Sequence, residues 1–176
     1  LGLMRGDIDG NLMPESDISR AEFVTIVNRA FGYDEMGGIP FDDVPEEAWY
    51  AEDVDIGYTA GYITGTSEST FSPLEPVTRE QAAVMLARNL VMQPAVGENV
   101  SFTDSRDLSA WSRGLVSTAS QYNLISGYPD GSFHPQDAIT RGEAAIMLLN
   151  AVATPIQGPA VQSLGNGWGT VAITTL

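Results

Sequence analysis

The stretch Ile139-Thr140-Arg141-Gly142-Glu143-Ala144-Ala145-Ile146-Met147-Leu148-Leu149 organises the reading of the chain. Thr140-x-x-Glu143 is a capping box, in which the hydroxyl takes the third helical amide and the carboxylate reaches back. Ala144, Ala145, Leu148, Leu149 and Val152 then recur at helical spacing, which predicts an amphipathic helix of about three turns. The same sentence is written twice more. Ile18-Ser19-Arg20-Ala21-Glu22 leads into Phe23, Ile26, Val27, Ala30 and Phe31, and Val77-Thr78-Arg79-Glu80-Gln81 leads into Ala82, Met85, Leu86 and Leu90. The agreement extends upstream. Pro14, Pro73 and Pro135 each stand six residues before the Arg. Leu12, Phe71 and Phe133 precede the prolines by two, and Gly6, Gly65 and Gly127 lie six further back. Recurrence of several positions in one register is the mark of a repeat protein.

Two copies carry a further half. Phe41-x-Asp43 matches Phe102-x-Asp104, and Trp49 and Trp111 follow, each 16 residues before its Gly. A second, shorter helix is expected over roughly 46–60 and 109–122, closed by Gly61 and Asn123 in left-handed caps. Asp43 and Asp104 read as caps of the segments that follow them. The organisation expected is the second half of a first repeat over 1–37, a second repeat over 38–97 and a third over 98–153. Residues 154–176 hold no charge and read as a linker or tail running into a short strand at Val171–Leu176. Leu1 to Gly6 aligns with the middle of a repeat, so the sequence reads as an internal fragment or a processed chain.

The composition excludes several partners. The 176 residues carry 23 acidic and 8 basic side chains, a net charge of −15, and every basic residue is Arg. Such a chain lacks the phosphate-neutralising cations that nucleic acid requires and the basic cluster that anionic lipid requires. With no Cys, disulfides and thiolate chemistry are excluded. No apolar run is long enough to span a bilayer. No metal site is expected: Asp7-x-Asp9-Gly10 puts Ser16 where a calcium loop needs a bidentate Glu, and it reads as a turn. His134, the single His, supports neither a metal nor a triad. No cofactor is implied.

These residues resemble the S-layer homology (SLH) family: Phe-x-Asp, then Trp, then the Gly loop, then Phe-x-Pro, then a Thr-Arg-Ala-Glu-like helix start. The resemblance covers nearly all of residues 1–153. It implies an all-α fold of tandem helix–loop–helix repeats packed as a pseudo-threefold spindle around a central helix bundle. It further implies an extracellular bacterial protein held non-covalently at the cell surface by binding secondary cell-wall polysaccharide, usually with a pyruvylated sugar, in grooves between repeats. It implies no enzyme activity.

For ligand contact the resemblance points to Arg20, Arg79 and Arg141. A guanidinium matches a carboxylate with two parallel hydrogen bonds, and free amides at a helix start would add to an anion site. The competing role is an internal pair with Glu or Asp. Trp49 and Trp111 are candidates for stacking on sugar or for the core. Tyr128 beside Gly127, with Gly65 in the matching position, is a groove candidate because backbone comes close at Gly. Arg29 and Arg88 are explained by the helix dipole. A second reading stays open: a subunit of a surface lattice or fibre, self-associating through the incomplete first repeat.

Overall fold

The computed structural model describes Met4, residues 10–96 and residues 100–154. The tail, the Asp7–Asp9 turn, Arg5 and Gly6 lie outside the described residues. Five α-helices are present: α1 (Arg20–Phe31), α2 (Ala51–Thr59), α3 (Arg79–Asn89), α4 (Arg113–Gln121) and α5 (Arg141–Ala153). One 3-10 turn, Ser105–Asp107, precedes α4. No strand occurs among the described residues, so the fold is all-α as expected.

α1, α3 and α5 are the three repeated helices, and each starts on a complete capping box. α5 packs against both α1 and α3, while α2 covers α1 and α4 covers α3. The residues before the caps, Ile18, Val77 and Ile139, are fully buried. Their backbones close a ring. The Ile18 amide donates to Ile139 O at 3.1 Å, Ile139 N donates to Val77 O at 3.0 Å, and Val77 N donates to Ile18 O at 3.0 Å. The repeats are therefore joined head to tail around a pseudo-threefold axis.

The same closure corrects the expectation of free amides at the helix starts. Arg20 N and Ala21 N donate to Glu75 O and Pro73 O of the next repeat. Arg79 N and Glu80 N do the same to Asp137 O and Pro135 O, and Arg141 N and Gly142 N to Ser16 O and Pro14 O. With the third amide taken by the cap hydroxyl, no row of open donors is left for an anion.

The shorter helices start later than expected. Residues 46–50 and 109–112 form turns with i→i+3 bonds such as Ala51 N to Ala48 O and Ser112 N to Ser109 O. Trp49 and Trp111 therefore stand in the turn ahead of a helix, and both are more than half exposed. This removes the core reading for them. Gly61 and Asn123 do take left-handed conformations just past the helix ends.

Asp43 and Asp104 do not cap the segments that follow them. Asp43 accepts from the Phe71 and Ser72 amides at 2.8 and 2.7 Å. Asp104 accepts from the Phe133 and His134 amides at the same two distances. Each carboxylate thus pins a loop nearly thirty residues away. The pinned Ser72 and His134 hold positive φ, a conformation that non-Gly residues adopt only when other contacts enforce it. Phe71 and Phe133 are buried below, against Phe41 and Phe102 at ring distances of 5.6 and 4.9 Å.

Glu80 occupies the position of Ala21 and Gly142 and is buried. Its carboxylate accepts from Ser109 N, Ser109 Oγ, Ser112 Oγ and Gln136 Nε2 at 2.6–3.0 Å. Four donors offset the cost of burying the charge and tie α3 to the entry of α4. Between α1 and α2 the seam is polar instead: Asp53 accepts from Thr25 and Asn28, and Tyr62 OH donates to Asn28 Oδ1 at 2.7 Å.

Burial pushes the Asp104 carboxyl up, but the His134 and Phe133 amides outweigh it and hold it below its ordinary value of 3.8. A carboxyl depressed by folding contributes stability above its unfolded pKa, and that stability is lost as pH falls through the folded value. Asp104→Asn should cost roughly 2 kcal/mol at pH 7, on the scale of two charge-assisted bonds. It should also flatten the loss of stability below about pH 4, measured by urea unfolding across pH.

Candidate functional site: the grooves between repeats

Each repeated Arg reaches out of its own repeat into the next. Arg20 Nε donates to Phe71 O at 2.8 Å and Nη2 to Thr64 O at 3.4 Å. Arg79 Nε donates to Phe133 O at 2.7 Å and Nη2 to Ser126 O at 3.1 Å. Arg141 Nε donates to Leu12 O at 3.0 Å. Arg20 lies 4.6 Å over the Phe71 ring, and Arg79 lies 4.6 Å over Tyr128 and 5.0 Å over Phe133. A flat guanidinium can stack and donate at once, which an ammonium cannot.

The remaining Nη1 goes to the third residue of the next repeated helix. Arg141 pairs with Glu22 at 2.9 Å, Arg79 with Glu143 at 2.8 Å, and Arg20 with Gln81 at 3.1 Å. The internal ion pair weighed against ligand binding therefore exists for Arg79 and Arg141, and Arg20 meets a neutral amide.

This single difference sets the charge of the grooves. The larger cavity, about 390 Å³, is lined by Arg20, Thr64, Gly65, Thr66, Gln81, Val84, Met85, Arg88 and Trp111. It has two guanidinium groups and no carboxylate in its wall. Burial pulls the Arg20 pKa down to about 10 against the pull of nearby Asp43, so the group stays charged at neutral pH. The Asp43 oxygens are already held by the Phe71 and Ser72 amides. Arg88 Nη1 donates to Thr64 Oγ1 at 3.1 Å, leaving the groove with positive charge at its foot and Trp111 on its side.

The Arg79 groove, about 230 Å³, also contains Gly127, Tyr128, Glu143 and Asn150. Asn150 stands where α3 has Arg88. Tyr128 OH donates to Glu143 Oε1 at 2.7 Å. Burial and that bond push the Tyr128 phenol above its ordinary value. Burial pushes the Glu143 carboxyl up, but the Thr140 amide, Tyr128 and Arg79 outweigh it and hold it low. The Arg79 groove is thus neutralised from within.

Gly65 and Gly127 line their grooves for a reason of packing. A Cβ on Gly65 would stand 2.3 Å from Ser67 O and 2.5 Å from Thr70 O; one on Gly127 would stand 2.6 Å from Ser132 O. Both glycines face their own loops. Trp111 is brought to the groove with Arg20; Trp49 lies in the matching turn of its own repeat. From the sequence, Arg88 is assigned to the helix dipole and Gln81 is a cap that lacks a carboxylate; the structure places both in the Arg20 groove. The signal was present: Arg29, Arg88 and Asn150 share one register, and so do Glu22, Gln81 and Glu143. Among the described residues no cluster of His, Asp or Glu could hold a metal ion, and no helix is long and apolar enough to cross a membrane.

Three Arg-to-loop contacts linking three repeated helices, with aromatic side chains at the groove edges, define a tandem helical repeat protein with inter-repeat clefts. The chain belongs to the S-layer homology domain family, whose sequence profile matches residues 40–83 and 101–145. It is 29% identical over 161 residues to the "Surface-layer 125 kDa protein" of Lysinibacillus sphaericus, covering 88% of this chain and 14% of the relative. It is 29% identical over 151 residues to an "Amylopullulanase" of Thermoanaerobacterium thermosulfurigenes, covering 83% of this chain and 8% of that protein. A "Cellulosome-anchoring protein" of Acetivibrio thermocellus is 33% identical over 109 residues, 60% of this chain and 23% of its own length. The chain thus spans a small part of each of these relatives.

Glu143→Ala should cost roughly 3 kcal/mol, because it strands the buried Arg79 charge. Glu143→Gln should cost about 1 kcal/mol, because the Arg20–Gln81 pair shows that an amide oxygen can both cap and accept. Denaturant midpoints of the two variants check this.

Proposed function

We propose that the chain is an anchoring module that holds an extracellular bacterial protein at the cell envelope, through wall polysaccharide bound in the Arg20 groove. The family is one of cell-surface modules without catalytic machinery. The observation that carries the ligand reading is the Arg20 groove itself: Arg20 and Arg88 side by side, Gln81 where the other grooves carry Glu, and Trp111 exposed on the flank. Two guanidinium groups without a facing carboxylate suit a sugar that bears a carboxylate, such as a pyruvyl ketal, and an indole face suits the C–H surface of a pyranose. The Arg79 and Arg141 grooves would take the same ligand more weakly, since an incoming carboxylate competes there with Glu143 or Glu22. The relatives match in line with this: a "Surface-layer 125 kDa protein", a "Cellulosome-anchoring protein" and an "Amylopullulanase" each match this chain over a small part of their own length.

The test is binding of purified acidic wall polymer, by calorimetry, to folded variants. Arg88→Gln and Gln81→Glu should each weaken binding about tenfold, the scale of one charge-assisted hydrogen bond. Trp111→Ala should weaken it by a similar factor, and Arg29→Gln should leave it unchanged. Equal binding by Gln81→Glu and the parent chain would contradict the groove assignment.

A further inference from the structure

The seam between α3 and α4 is built like that between α1 and α2, but with smaller side chains. At the first seam Tyr33 follows the Gly32 cap, and its ring stacks on Phe31 at 6.2 Å and on Tyr62 at 6.0 Å. In the repeat register these three positions become Leu90, Met92 and Leu124 at the second seam. The turn itself is kept: Tyr33 N donates to Asn28 O, and Met92 N donates to Ala87 O. Two Leu and one Met thus replace three rings. A slot of about 200 Å³ stands open there, with Leu90, Val91, Met92, Thr118, Tyr122 and Thr154 in its wall. Val91 occupies the place of Gly32 and keeps its left-handed conformation, at φ +54. A β-branched residue holds that conformation only at a cost. Val91 is 64% exposed, so burial in its own repeat does not offset the strain. Tyr122, in the same wall, is 47% exposed.

We propose that this slot is the seat of Ile156, so that the chain leaving α5 is strapped across the ends of α3 and α4. Thr154 sets the direction. It lies in the slot wall in extended conformation, φ −74 and ψ 122, as the Pro155 that follows requires. In an extended run alternate side chains point to the same side, so Ile156 points where Thr154 points. Its Cα falls within about 7 Å of that of Thr154. The wall also selects the occupant. It holds no charged side chain, and the stretch Pro155-Ile156-Gln157-Gly158 carries none either. Ile156 is the one large apolar side chain in that stretch. Seated there, it supplies from the third repeat the packing that Tyr33 supplies to the first seam from within. The strap ties the end of α5 to α3 and α4. Pull on the chain beyond it then enters two repeats together and does not peel α5 from its C-terminal end. That mechanical consequence rests on the anchoring reading; the strap itself does not.

Double-mutant cycles in the full chain test the seat, by urea unfolding and without any wall polymer, so the result stands apart from the ligand reading. Ile156→Ser should raise the unfolding constant at least about fivefold, part of what full burial of an Ile contributes. In a Tyr122→Ser background the same substitution should raise it less than about twofold, because the wall is already lost. In a Leu149→Ser background, on the exposed face of α5, it should keep its full effect. Val91→Gly removes strain and wall together, so it should stabilise the Ile156→Ser chain more than the parent. The amides of Val91 and Met92, bonded to Arg88 O and Ala87 O, should exchange at least about tenfold faster in Ile156→Ser. The proposal is overturned if Ile156→Ser changes neither stability nor exchange, or if its effect is independent of both Tyr122 and Val91. Coupling to Leu149 would place Ile156 on the face of α5 and overturn it equally.

Discussion

The structure depends on a ring of three backbone hydrogen bonds, Ile18 to Ile139 to Val77 and back to Ile18. None of the three can form within one repeat. Around the ring, each repeated helix has its first two amides satisfied by carbonyls of a neighbouring Pro loop. A helix start left open in the interior would cost the full desolvation of those groups. A single repeat, with its core too small to stand alone, therefore has unsatisfied donors as well as uncovered apolar surface. Closure of the ring resolves both, which makes the three repeats one cooperative body.

That closure also decides where an anion can bind. Because the amides are used, the donors left at these helix starts are the guanidinium groups, and these are governed by the third residue of each helix. Glu22, Gln81 and Glu143 each cap their own helix and receive an Arg from the preceding repeat. The cap needs only an oxygen, so Gln serves as well as Glu. The Arg, in contrast, is neutralised by one and left charged by the other. A substitution almost silent for the helix thus changes the electrostatics of a groove.

Much of the fold was legible because its signals are local. Capping boxes, helical periodicity and the Gly61 and Asn123 caps depend on residues a few positions apart. The late start of α2 and α4 was not legible, since Glu46 to Trp49 carries good helix formers and only the turn following Pro45 shows otherwise. Asp43 and Asp104 were misread for a related reason: their partners lie nearly thirty residues on, and no local pattern announces such a bond. In the site, the Arg ring could be read as a repeat but its pairing could not. The contrast between Gln81 and Glu143 was visible as a loss of charge. That the loss would fall opposite Arg20, and not opposite its own repeat's Arg79, follows only from the head-to-tail closure.

The net charge of −15 now bears on mechanism. At long range the chain repels an acidic polymer, while in the proposed groove Arg20 and Arg88 would attract it. These two terms respond differently to salt. The Debye length falls from about 30 Å at 0.01 M to about 8 Å at 0.15 M, which removes the long-range repulsion. Contacts at about 3 Å inside a partly enclosed groove are screened far less. Association with an acidic glycan should therefore speed up as salt rises over this range, the reverse of binding steered by a basic surface. The dissociation rate should change little. Stopped-flow kinetics with purified polymer would show this as a positive slope of association rate against ionic strength. The slope should survive Arg88→Gln, because the substitution weakens the contact and leaves the field of the whole chain dominated by its acidic surface.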